Sequence, residues 1–213
     1  MLEDLSGQKI AEEFKSNKKL KMTTYIVGGI LLLSILFFAY RQFIWKPAND
    51  DSKNSYWIGL NYAGMDSTNL AMEEFETAVN QYDGKIGGEV SQFLLGRQLM
   101  EQGEFEEALN ELSSVNLKDT YLSSLVVKLQ ADCYSELKDY EKAANLYLEA
   151  AEINPNENTT PEILFSAGQC AEEINNFEKA LECYQKIKDE YPSSTKGMSI
   201  EKYIARVEFK TIK

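Results

Sequence analysis

SLVVKLQADCYSELKDYEKAANLYLEAAEINPNE, residues 124–157, is the stretch on which the fold turns. Ala131 is followed after twelve residues by Ala143, then by Tyr147 and Ala150 at steps of four and three, so small and large apolar residues recur at helical spacing on both sides of Lys138-Asp139. Lys138-Asp139 interrupts the pattern as a turn does, and Pro155 stops the second run because proline has no amide hydrogen with which to continue a helix. The spacing predicts two antiparallel helices in contact through Ala131 and Ala143, since backbones approach closely only where side chains are small.

The same spacing recurs along the chain. Ala71-Phe75-Ala78, Ala108-Leu112-Val115 and Ala180-Tyr184-Ile187 repeat Ala143-Tyr147-Ala150, and Gly59, Gly96 and Gly168 stand where Ala131 stands. Three residues beyond those small residues come Tyr62, Leu99, Tyr134 and Ala171, and then the turn pairs Asp66-Ser67, Gly103-Glu104, Lys138-Asp139 and Asn175-Asn176. Each pair is followed by Thr68, Phe105, Tyr140 or Phe177, and Pro192 ends the last unit as Pro155 ends the one before. The pattern resembles the tetratricopeptide repeat, a helix-turn-helix unit of about 34 residues with small residues at its eighth, twentieth and twenty-seventh positions. On that register the units run 52–85, 89–122, 124–157 and 161–194, the first being degenerate, with Asp83 in place of the closing proline. Gly87-Gly88 reads as a breaker between units. The tail, 195–213, places Ile200, Tyr203, Ile204 and Val207 at helical spacing and is expected to cap the last unit, with Lys202, Arg206 and Lys210 on its exposed face.

Ahead of the repeats, Met22 to Tyr40 is a run of nineteen residues without a formal charge, fourteen of them apolar. At 1.5 Å per residue such a run spans about 28 Å, close to the hydrocarbon thickness of a bilayer. The stretch around Phe37-Phe38-Ala39-Tyr40 has no small-residue cleavage site, and Ile30 to Phe38 is apolar on every helical face, so an uncleaved anchor over 22–45 is expected rather than a signal peptide or a core helix. Tyr40, Phe43 and Trp45 suit the exit interface. Five Lys precede the span, whereas Arg41, Lys46 and Lys53 follow it, which favours a cytoplasmic leader (1–21) and a repeat domain on the far side. Residues 46–51 read as a polar linker to a domain over 52–213. The fold class is thus all-α: one N-terminal transmembrane helix, then a solenoid of four helix-turn-helix repeats with a capping helix.

From Pro47 onward fifteen Lys and Arg face thirty Asp and Glu, a local net charge of −15. Nucleic acid would be repelled by such a domain. The chain has no His, which removes the commonest general base and most zinc sites. Its Gly clusters lack phosphate-loop spacing, and pairs such as Glu73-Glu74, Glu106-Glu107 and Glu172-Glu173 are what solvated helix faces carry. Cys133, Cys170 and Cys183 have no CxxC spacing and read as small buried hydrophobes. No enzyme activity, cofactor, metal or small-molecule substrate is expected.

In the first helix of each unit, positions 2, 5, 9 and 12 fall on one stripe, which in tetratricopeptide-repeat proteins lines the groove that holds partner segments. Here the stripe reads Lys53, Tyr56, Leu60, Ala63; Val90, Phe93, Arg97, Met100; Leu125, Lys128, Asp132, Ser135; and Glu162, Phe165, Gln169, Glu172. The candidate partner-binding residues are Tyr56, Phe93, Arg97, Met100, Lys128, Asp132, Phe165 and Gln169. The Lys and Asn four apart that clamp a terminal carboxylate in the family's chaperone binders are missing, which points to extended or partly apolar ligands. Leader, single span and acidic repeats together resemble the single-span, YfgM-like ancillary subunits of the bacterial SecYEG translocon. That resemblance implies a non-enzymatic inner-membrane adaptor with periplasmic repeats, whose partners are the translocon, a periplasmic chaperone or emerging polypeptides. A scaffold for division, gliding or outer-membrane assembly, or an organelle import receptor with a cytosolic domain, fits the same architecture.

Overall fold

The computed structural model describes residues 14–211 and divides into two units, Met1–Asp50 and Asp51–Lys213. The leader's first thirteen residues, including Lys9, lie outside the described part.

In the first unit, helix α1 spans Lys18–Tyr40 and begins on Asn17, whose side-chain oxygen accepts from the amides of Lys19 and Leu20 at 3.1 Å. None of its residues is buried, and its length and composition are enough to cross a membrane. The hydroxyls of Thr23, Thr24 and Ser34 donate to the carbonyls of Lys19, Leu20 and Ile30 at 2.8–2.9 Å, so these polar side chains are satisfied within the helix itself. A π-turn, Arg41–Trp45, leads into α2, Lys46–Ser52. The stretch read as a linker is therefore helical. Pro47 sits at the second position of α2, directly after that π-turn.

In the second unit the helices are paired: α3 Trp57–Ala63 with α4 Thr68–Gln81, α5 Ile86–Gln102 with α6 Phe105–Ser114, α7 Thr120–Glu136 with α8 Tyr140–Ile153, and α9 Thr160–Glu173 with α10 Phe177–Glu190. A short 3-10 turn, Gly197–Ser199, precedes α11, Glu201–Thr211. No strand occurs among the described residues. The turn inside each pair has one construction. Asp66, Gly103, Lys138 and Asn175 all take left-handed backbone, with φ of 55°, 83°, 63° and 58°. The next residue's amide then reaches back to close the helix end: Ser67 to Tyr62, Glu104 to Leu99, Asp139 to Tyr134 and Asn176 to Ala171, at 2.8–3.0 Å.

The contact inside each pair also repeats. A Cβ added to Gly59 would fall 2.4 Å from the Phe75 ring, one on Gly96 would fall 2.7 Å from Leu112, and one on Gly168 would fall 2.4 Å from the Tyr184 ring. In the third pair Ala131 takes the glycine's place, and it and the second-helix alanines Ala71, Ala108, Ala143 and Ala180 are all fully buried. Small residues at these places are thus what lets the helices close.

Gly87 and Gly88 are not a break. They form the first turn of α5, where the place of a Cβ on Gly87 is filled by the backbone of Ser52 and that on Gly88 by the carbonyl of Tyr82. The Gly87 amide donates to Ser52 Oγ at 3.0 Å. Nor does the whole tail form a helix: α11 begins only at Glu201, and it buries Ile204 and Val207, with Ile200 just ahead of it, in the main core beside Tyr184 and Ile187.

Candidate partner-binding surface

The stripe residues do not share one environment. Tyr56 lies just ahead of α3, half-buried, its ring 5.4 Å from that of Trp57. Phe93 is buried among Val126, Leu125 and Leu129 of α7, and Arg97 remains exposed with its guanidinium 5.9 Å above the Phe93 ring. Met100 is half-buried against the same cluster. Phe165 is also buried, 5.6 Å from the Tyr184 ring and edge-on at 4.7 Å to Tyr203 of α11, with the Lys196 ammonium 4.3 Å above it. Phe93 fills the space against the first helix of the next pair, and Phe165 the corresponding space against the cap, α11. Gln169 is exposed. Of the eight candidate residues, Arg97, Lys128, Asp132 and Gln169 are the polar ones, and each is open to solvent in whole or part.

Two buried tyrosines hold acids on this surface. Tyr147 Oη donates to Asp132 at 2.6 Å, and Lys128 pairs with the other oxygen of the same carboxylate at 2.7 Å. Tyr184 Oη donates to Glu172 at 2.9 Å, and Arg206 and Lys210 of α11 pair with that carboxylate. Burial pushes both phenols far above their ordinary range, and the carboxylate each one donates to adds to the rise. For Glu172, burial alone would raise the carboxyl, but hydrogen bonds from Arg206, Tyr184 and Lys210 outweigh it and hold the group below the usual value. Arg206 and Lys210 lie on the exposed face that their spacing implies, and they pair from there with an acid of the neighbouring helix. They fasten the cap to the last position of the fourth stripe, and Arg206 and Lys202 also stand over the Tyr203 ring at 4.9 Å.

A mostly apolar cavity of about 160 Å3 opens between the first turns of α7 and α9, lined by Tyr121, Leu125 and Ile163 with Asn158 and Glu162 at its rim. It adjoins a polar depression of about 430 Å3 beside Glu157 and the loop at Ser193–Thr195. The stripe contains Leu125, Lys128 and Glu162 but misses Tyr121, because α7 starts at Thr120, four residues ahead of the repeat register. Asp119 was the available signal: its side chain accepts from the Leu122 amide at 2.9 Å and starts the helix early.

Cys133 and Cys183 are buried, which pushes their thiols up to about 11, and burial raises Cys170 as well. Thiols held in the neutral form are poor nucleophiles. Among the described residues no three His, Cys, Asp or Glu side chains converge as metal ligands do.

Residues 126–157 and 162–194 each match a family model described as tetratricopeptide repeat. The chain thus carries tetratricopeptide repeats, which are generally non-catalytic scaffolds that bind other proteins. Among solved structures, the apo form of RapI is 20% identical with a TM-score of 0.59, over 70% of this chain and 45% of that one. A tetratricopeptide repeat protein from Parabacteroides merdae is 19% identical with a TM-score of 0.60, over 76% of this chain and 60% of that one. A protein of nearly identical TPR-like repeats from Podosopora anserina is 14% identical with a TM-score of 0.59, over 76% of this chain and 87% of that one. At these identities the likeness establishes the fold alone, and the chain spans less than two thirds of the first two structures. No curated protein matches the chain.

Proposed function

We propose that this protein is a membrane-anchored, non-enzymatic adaptor: α1 spans the bacterial inner membrane with the leader in the cytoplasm, and four tetratricopeptide repeats with a cap receive protein partners in the periplasm. The observation that carries the reading is α1 itself, which leaves its apolar side chains exposed on every face while the hydroxyls of Thr23, Thr24 and Ser34 are bonded within the helix. A helix of that kind is stable in hydrocarbon and costly in water. The Lys asymmetry around it sets the orientation, and the acidic charge of the remainder suits a domain that stays off anionic lipid.

The partners we assign are the SecYEG translocon and a periplasmic chaperone or emerging chain, on the architecture's resemblance to ancillary translocon subunits. The contact surface is built on Arg97, Lys128, Asp132 and Gln169, with Tyr56 and Met100 at the margins and Phe93 and Phe165 setting the spacing of the helices beneath. A scaffold for another envelope complex is the second reading. Fusion of a reporter active only in the periplasm after Lys213 tests the topology: activity is expected, and activity of a cytoplasmic reporter alone would overturn it. Co-purification in mild detergent then separates the two readings, the first requiring translocon subunits in the complex and the second requiring their absence. Photo-crosslinkers at Thr24, Gly28 and Leu31, against Ile26, Ile30 and Leu33, add whether one face of the span touches a translocon helix. Gly28 and Gly29 leave open space on α1 where another helix fits, although the Thr24 hydroxyl is already engaged with Leu20.

A further inference from the structure

We propose that the cavity between the first turns of α7 and α9 is a docking pocket for an extended peptide segment that presents one large aliphatic or aromatic side chain followed closely by Lys or Arg. The inference rests on the adaptor reading and names both the place and the chemistry of the partner. Four observations lead to it. The cavity, about 160 Å3, is on the scale of a single large side chain, and the surface it exposes is mostly apolar, with Tyr121, Leu125 and Ile163 in its lining, while the one cation that lines it, Lys128, is already paired with Asp132. Tyr121 is 58% exposed, a large aromatic left in solvent at the lip of an apolar hollow. Such a wall gives an incoming side chain contact area at little entropic cost.

The cavity continues into the polar depression through two shared residues, Asn158 and Glu162, so a chain leaving the pocket passes directly over Glu157 and Glu162. Lys196 engages Oε2 of Glu162 at 3.1 Å, while Glu157 is exposed and has no cationic partner among the described residues. A Lys or Arg following the anchor residue completes that arrangement. The Asn158 side chain, which has both donors and an acceptor, stands at the junction where the partner's main chain must cross.

Charge decides among occupants. From Pro47 onward the chain carries a net charge of −15, so a second copy, an acidic peptide, nucleic acid or an anionic lipid surface meets repulsion, whereas a basic segment is attracted. The pocket shares Leu125, Lys128 and Glu162 with the stripe, but Arg97 and Gln169 do not line it, so mutation at those two separates the surfaces.

The test uses the full chain in detergent micelles and a positional-scanning library of nonapeptides. One position is fixed as Leu, Phe, Ala or Glu, and the position two or three residues on as Arg, Ser or Glu. Binding is read by fluorescence anisotropy. The expected result is binding of the Leu-Arg and Phe-Arg sets at least tenfold tighter than the Ala-Arg and Leu-Glu sets. Tyr121→Asp should lower the apolar preference, and Glu157→Lys the basic one, each by about tenfold. Both residues are exposed, so folding is not at stake, and an unchanged melting temperature and helical circular dichroism verify that. Peptides that bind wild type but are lost on Arg97→Glu or Gln169→Glu, with Tyr121→Asp and Glu157→Lys unaffected, would overturn the pocket while keeping the adaptor reading on the stripe. Absence of any preference in the library, or failure of every peptide to bind, would overturn the proposal. The adaptor reading would then stand or fall on the topology and co-purification results.

Discussion

The first helix pair and the last are built on one register and consolidated to different degrees. In both, a glycine on the first helix lies so close to a ring on the second that an added Cβ would fall 2.4 Å from it, and in both a left-handed residue closes the turn. Around Gly168 and Tyr184, however, the pair is enclosed: α9 has fourteen residues, Leu164, Ile187, Ile200 and Val207 complete a continuous core, and the Tyr184 hydroxyl reaches Glu172. Around Gly59 and Phe75, α3 has only seven residues, Phe75 has no hydroxyl to bond an acid, and Trp57, Ile58, Met65 and Leu70 remain exposed. The register alone therefore does not set stability. What sets it is the length of the first helix and whether a neighbour covers each open face, as α11 covers α9.

Substitutions sharpen the contrast in order of expected effect. Ala143 is fully buried where α7 and α8 close, so Ala143→Leu should cost about 1–3 kcal/mol, seen as a lower denaturation midpoint with unchanged slope. A midpoint equal to wild type would break the register. Next, Gly168→Ala should cost roughly 1–2 kcal/mol, because the Tyr184 ring is held on all sides, and Gly59→Ala less than about 1 kcal/mol, because the short α3 can shift. Equal costs would mean that the two pairs are equally consolidated.

Of similar size to the Gly59 change is Tyr184→Phe, which removes one donor from Glu172 and should cost about 0.5–1 kcal/mol. Least is the acid response. The Glu172 carboxyl is held below its ordinary value, so the contribution of its bonds to cap stability is complete above the usual carboxylate range and is lost as pH falls through the lowered value. The protection factors of the amides over 201–211, taken relative to the intrinsic exchange rate at each pH, should therefore fall on acidification before those of the rest of the domain. In Glu172→Gln that separate acid step should vanish, and its persistence would assign the step to other carboxylates.

Much of this fold is readable in the sequence, for reasons that differ by residue. Gly59, Gly96 and Gly168 announce themselves because only a missing side chain fits at 2.4–2.7 Å from the facing ring or leucine. Gly103 and Asn175 suit left-handed backbone by chemistry, whereas Lys138, with φ of 63°, is identified by spacing alone. Other features are hidden because they depend on what lies across a gap. Phe93 and Phe165 carry the signature of a contact stripe, but the next helix in the stack covers them. Arg206 and Lys210 look like solvated charges until Glu172 is placed beside them. Gly87 and Gly88 look like a break because nothing in the local sequence shows that Ser52 and Tyr82 press against them.

The most direct test is native-state hydrogen exchange on the full chain in detergent micelles, resolved by helix. Four in-register pairs of graded consolidation predict the slowest exchange in α8, α9 and α10, intermediate protection in α5 to α7, and the fastest in α3 and α4, with α11 losing protection at acid pH. Uniform protection from Trp57 to Glu190, or a first pair as slow as the last, would contradict it.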